Sequence, residues 1–182
     1  MHHFKGMNKK LLLFTASIVL PLSLHAVPQN KFEEVVCDGI ENFHKQSNPI
    51  FQSRLINARK NALKKLFHTN TLEVKNWKAK VYGIDAVGSD YVSLELVIGC
   101  RIQLGTWNNS FSDYLTHSLI NINSQLADTI SNLTIGDEIT IDGSFYSDNE
   151  KVIYEKSITD EGYMVAPEYL FRFEKIMKIR SN

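Results

Sequence analysis

Three histidines lie after Ala26 in this 182-residue chain: His44, His68 and His117. None stands in an H-x-x-x-H or H-x-H arrangement, so the ligand spacing of a local zinc site is missing. Asp113 lies four residues before His117. That spacing would let a carboxylate orient an imidazole as a base, but no nucleophile accompanies the pair and no G-x-S-x-G elbow occurs. Asp148-Asn149-Glu150 and Asp160-Glu161-Gly162 carry calcium-type oxygen donors, yet turn-forming acids explain both. There is no glycine-rich phosphate loop. The sequence indicates no catalytic residue, no metal and no cofactor.

Its binding chemistry is richer. Between Asn42 and Leu72 stand Lys45, Arg54, Arg59, Lys60, Lys64 and Lys65, with no acidic residue among them. On a helix Lys60 and Lys64 fall one turn apart, flanked by Arg59 and Lys65. Such a patch suits an anionic partner: a lipid headgroup, a lipopolysaccharide phosphate or a nucleic-acid backbone. The competing account is a solvated helix face lying over an acidic part of the same molecule. Aromatic rings gather further on. Trp107 sits in the polar run Gly105–Ser110, which predicts a loop and a ring available to a ligand, unless it folds back as a lid. Lys78, Lys80 and Tyr82 share one face of a predicted strand, and Tyr114 follows nearby.

The elements that must position these residues divide near residue 72. Before it the apolar period is helical. Phe32, Val36, Ile40 and Phe43 make one stripe, with Asn30 as the expected cap. Asn48-Pro49 opens a second helix, whose stripe is Phe51, Leu55, Ala58, Ala62 and Leu66. After residue 72 the period turns to two. Trp77, Ala79, Val81 and Gly83 alternate with polar neighbours, Val92 to Ile98 alternate again, and Ile102 with Leu104 makes a third strand. Leu119, Ile122, Leu126, Ile130 and Leu133 suit a short helix, with a strand over 118–122 as the alternative. Ile139-x-Ile141 begins another strand, with a bend or bulge at Gly143. A hairpin turn at Ser147–Glu150 leads to Val152–Tyr154, and Tyr169, Phe171 and Phe173 alternate in the last stretch.

Composition sets the compartment. Lys5, Lys9 and Lys10 precede the apolar run Leu11–Leu22, which ends in Ser23-Leu24-His25-Ala26. This is the pattern of a secretory signal peptide cut after Ala26; the alternative is an uncleaved anchor. The run falls short of the roughly 20 apolar residues of a spanning helix. The expected organisation is therefore a leader over 1–26, a helical segment over 27–72 and a β domain over 73–182. Beyond the leader, 17 basic and 20 acidic residues leave a charge of −3, divided as +3 over 27–72 and −6 over 73–182. That balance disfavours a dedicated nucleic-acid binder. In an oxidising compartment the two cysteines, Cys37 and Cys100, are expected to bridge, stabilising by about 4 kcal/mol; the alternative is two buried thiols. Neither follows the apolar run directly, so no lipoprotein anchor is indicated.

Three strands, a short helix and further strands follow the order of an OB fold, whose first strand must bend at a mid-strand glycine. Trp77-x-x-x-Val81, Leu133-x-x-Gly136-Asp137-x-Ile139-x-Ile141-x-Gly143 and Pro167-Glu168-x-x-Phe171-x-Phe173 resemble an OB-like family of bacterial extracytoplasmic proteins, loosely similar to tRNA-anticodon-binding domains. The resemblance covers roughly residues 75–178. It implies a five-stranded barrel that binds something on one face, and it carries over no catalytic residue. The expectation is thus an α+β protein: a helical hairpin followed by an OB-like barrel. It would be periplasmic and non-catalytic, with an envelope protein or anionic ligand as partner. An oligonucleotide-binding module and a small envelope hydrolase are the alternatives.

Overall fold

Pro28 fixes the start of the first helix: extended itself, it accepts from the amides of Lys31 and Phe32. In the computed structural model, which describes residues 25–147 and 153–179, helix α1 (Gln29–His44) buries Phe32, Val36 and Phe43. Asn30, the expected cap, sits inside the first turn instead, and no side chain caps this helix. Helix α2 (Pro49–Thr69) opens as its sequence predicts, with the Asn48 side-chain oxygen accepting from the Ile50 amide at 2.9 Å. Its buried stripe is Ile56, Arg59, Leu63 and Phe67. The expected stripe thus turns by one position, leaving Phe51 and Ala58 exposed.

The described chain begins with strand β1 (His25–Ala26), parallel to β2 (Asn70–Thr71). Residues 1–24, which hold most of the expected leader, lie outside the described residues. Val27 is buried and accepts from the Trp77 indole N–H at 3.1 Å, tying this entry segment to the sheet.

Alternation dictates the sheet. Strand β3 (Glu73–Val87) buries Val74, Trp77, Ala79 and Val81. Strands β4 (Tyr91–Ile98) and β5 (Ile102–Gly105) follow. Next come helix α3 (Ser110–Asp113), strand β6 (Ile120–Asn121) and helix α4 (Gln125–Ile130). Strand β7 (Glu138–Phe145), helix α5 (Asp160–Val165) and strand β8 (Glu168–Lys178) complete the order. The helix expected from Leu119 is confined to 125–130. Its first part is strand, as the alternative allowed, because the Ile120–Asn121 backbone pairs with Val92 and Tyr91. The expected hairpin turn and Val152 fall at or beyond the edge of the described residues. Tyr154 belongs to no strand, and the segment is tied to β8 by the Glu155–Tyr169 bridge, with the Lys156 amide donating to the Glu168 carbonyl and the Leu170 amide to the Tyr154 carbonyl.

The six-stranded sheet runs β3-β7-β8-β5-β4-β6, and a further pairing joins β3 to β4. The pairings β3–β4, β4–β5, β5–β8, β8–β7 and β7–β3 therefore form a cycle, antiparallel except for β5–β8. Long β3 serves both neighbours, pairing with β7 over its first half and β4 over its second, with a register shift between Val81 and Gly83. The predicted bulge at Gly143 is present as a shift between Asp142 and Gly143. A Cβ at Gly143 would overlap the Arg172 carbonyl oxygen and the Phe171 ring, so only glycine fits there.

One core joins helices and sheet. Phe32 of α1 is fully buried among Trp77, Phe145 and Tyr169, with ring centroids 5.0 to 5.3 Å apart. Phe67 of α2 and Ile130 and Leu133 around α4 belong to the same core. A smaller cluster, Phe43, Ile56, Tyr163 and Met164, packs α1 and α2 against α5. A disulfide joins Cys37 of α1 to Cys100 in the turn between β4 and β5. Cys100 and Arg101 both take positive φ there, 46° and 64°, a conformation that ordinary side chains resist. Among the described residues no helix is long and apolar enough to cross a membrane.

Candidate functional site

The basic helix does not present its charges as one patch. Arg59 is 2% exposed. It can be, because α1 carries Gly39 opposite it: a Cβ there would meet the Arg59 Cδ at 2.7 Å. The Arg59 guanidinium lies 3.9 Å from the centroid of the Tyr163 ring on α5, a desolvated cation–π contact. Its Nη1 makes a long 3.5 Å contact to the Met164 carbonyl and the guanidinium also acts on the Tyr163 hydroxyl, while Nε and Nη2 close no hydrogen bond of good geometry among the described residues. Lys60 reaches the same ring, Nζ to centroid 5.3 Å. Arg54 stacks on Phe51 and Lys65 is exposed.

Lys60 and Lys64 instead line a cleft of about 430 Å³ between α2, α5 and the chain before β8. Ile153, Glu155, Tyr163 and Tyr169 contribute to its walls. Glu155 is 4% exposed and Tyr169 fully buried. One carboxylate oxygen, Oε1, accepts from the Glu168 amide at 2.7 Å. The other, Oε2, and the Tyr169 hydroxyl are both buried; the two groups face one another, but neither closes a well-formed hydrogen bond among the described residues. Each such group costs a fold about 1–3 kcal/mol. Burial pushes the Glu155 carboxyl up to about 7, against the opposing pull of the Glu168 amide, Ser157 and the Arg59 charge. Burial likewise raises Tyr163, and holds Tyr169 well above the ordinary phenol range. A buried acid titrating near neutrality, beside a buried phenol in a cleft, marks a functional-site candidate on physical grounds.

The other predicted site residues are placed elsewhere. Trp107 is half-buried and folds back edge-on to Tyr154, centroids 5.9 Å apart, with Lys156 at 5.9 Å. Its amide donates to Ser118 Oγ, holding the loop against its neighbour, while its indole N–H is buried without a hydrogen-bond partner among the described residues. Lys78, Lys80 and Tyr82 do share an exposed face of β3, as expected. Strand β4 separates them from the Trp107 loop that follows β5. Tyr114 is 75% exposed beside Phe111 and Leu115.

Asp113 does not orient His117. The carboxylate is buried and accepts from the Ser118 amide and hydroxyl, at 2.5 and 2.7 Å, from Thr116 Oγ1 at 3.1 Å and from the Leu119 amide at 3.2 Å. That is a structural knot behind α3. The Asp160-Glu161 pair likewise occupies the first turn of α5, capped by Thr159. No grouping of metal-ligating side chains occurs among the described residues.

Sequence reasoning named Lys60, Lys64 and Arg59 but missed Glu155, Tyr163 and Tyr169. The one signal available was Gly39 in mid-helix, a notch facing a helix rich in long cations. No protein-family model matches the chain, and no curated protein matches it in sequence.

Proposed function

We propose that the chain is an exported binding or adaptor module of a bacterial cell envelope, non-catalytic, with an OB-like five-stranded barrel behind a helical hairpin. The cyclic strand pairing, its parallel β5–β8 step and α4 preceding β7 support the barrel reading. The cationic apolar leader and the Cys37–Cys100 disulfide support an oxidising compartment. One observation carries the binding role: Glu155 and Tyr169 line a cleft, and Oε2 and the phenol hydroxyl facing it close no hydrogen bond among the described residues. Unmet groups of that kind are poor architecture and good recognition. Asp113, fully engaged by its own loop, supports the non-catalytic reading.

Crosslinking in intact cells, followed by identification of captured partners, tests the role. The wild-type protein should be recovered from the periplasmic fraction with a discrete partner or ligand, and Tyr169→Phe should reduce that capture. Cytoplasmic recovery, or capture indifferent to Tyr169, would defeat the proposal. A second reading, an oligonucleotide-binding barrel, draws on Lys78, Lys80 and Tyr82 along one exposed strand face. It requires a mobility shift that weakens steeply as salt rises, because phosphate contacts release counterions.

A further inference from the structure

From the chemistry of the cleft we infer that its ligand is a small hydroxylated anion, a sugar acid or sugar phosphate; this rests on the binding role proposed above. The floor supplies one carboxyl oxygen and one phenol, both buried and facing each other, with no closed hydrogen bond to either among the described residues. A carboxylate oxygen only accepts, whereas a phenol both donates and accepts. A ligand hydroxyl matches them, giving its proton to Glu155 Oε2 and taking one from Tyr169. An apolar occupant would leave both unmet, at the full desolvation cost. Lys60 and Lys64 line the same cleft from α2, with Arg59 buried behind Tyr163. Two acids line it as well, the exposed Asp160 and the buried Glu155. Two exposed ammonium groups at the mouth favour an anionic group there, and they disfavour the cationic ligand that Glu155 alone would attract. Leu63 and Ile153 add an apolar wall suited to the C–H edge of a ring. The cleft volume, about 430 Å³, lies within the range of small-molecule sites and is short for a nucleic-acid strand.

Titration calorimetry on the exported, disulfide-intact protein tests this with four probes: glucose 6-phosphate, glucuronate, glucose and inorganic phosphate. Both anionic sugars should bind, with glucose and phosphate weaker by roughly ten-fold or more, the loss of one charge-assisted contact. The double variant Lys60→Ala/Lys64→Ala should bring glucuronate down to the affinity of glucose. Tyr169→Phe should weaken both anionic sugars by roughly ten-fold while its melting temperature holds or rises, since it deletes a hydroxyl that closes no well-formed hydrogen bond among the described residues. Equal affinity for glucose and its phosphate, unchanged binding by Tyr169→Phe, or no binding of any probe would overturn the ligand class. If the sugars fail but Tyr169→Phe still loses the partner captured in cells, the ligand class alone falls. If capture is also unchanged, the binding role falls with it.

Discussion

Asp113 and Glu155 are both buried carboxylates, and they are treated in opposite ways. Asp113 receives four donors from residues 116 to 119 and holds its own loop closed. Glu155 accepts from the Glu168 amide with Ser157 alongside and leaves Oε2 without a closed hydrogen bond, so burial resists its charge up to about pH 7. The first was suggested by sequence as chemistry and is architecture. The second went unnoticed in the sequence, and it faces a cleft. Burial of a charge therefore says little about function until its partners are counted.

The strongest blow to this contrast would be an Asp113→Ala protein of ordinary stability. Losing the acceptor strands two buried amides and a hydroxyl, and the expected cost is about 3–5 kcal/mol in urea unfolding. A loss under about 1 kcal/mol would make the two carboxylates alike.

Next in size is the pH dependence set by Glu155. Below pH 4.5 the carboxyl is protonated in folded and unfolded chains, and no difference arises. Between 4.5 and about 7 the unfolded chain ionises first, so stability falls as pH rises, by about 3 kcal/mol in all. Unfolding free energies at pH 5 and 8 should show that loss in wild type, and Glu155→Gln should flatten it. A flat wild-type profile would show Glu155 to be as well satisfied as Asp113.

Two smaller effects sharpen the comparison. Tyr169→Phe should leave stability within about 1 kcal/mol of wild type, or raise it, by thermal melting, because the deleted hydroxyl closes no well-formed hydrogen bond among the described residues. Lys60→Ala changes an exposed rim and should shift stability by no more than about 0.5 kcal/mol. A larger loss in either would mean that the cleft is built for the fold rather than for a ligand.

The strand alternation, the Asn48–Pro49 helix start and the Gly143 bulge were legible in the sequence because each depends on near neighbours. Alternation in β3 and the glycine's close approach are local facts. The cleft was not legible, since its parts come from three distant stretches. Glu155 reads as one acid between Tyr154 and Lys156, and only its bridge to Tyr169 places it indoors. Tyr169 reads as one more ring in an alternating strand. Trp107 misled for the same reason: its polar surroundings promise exposure, while Tyr154 and Ser118, both remote in sequence, draw it in. Arg59 misled most. Charge patterning puts an arginine among lysines on the surface, and only the missing side chain at Gly39 on the facing helix makes room for it.

That gap at position 39 works as a keyhole. Gly39→Ala would bring its methyl into the space that the Arg59 side chain fills, forcing a helix to tilt or a cation to swing outward. In either case Tyr163 loses the guanidinium stacked on it, and Lys60 and Lys64, carried on the same helix, move with the disturbance. An alteration on α1, across the helix pair from the recess, thus transmits to whatever sits inside it.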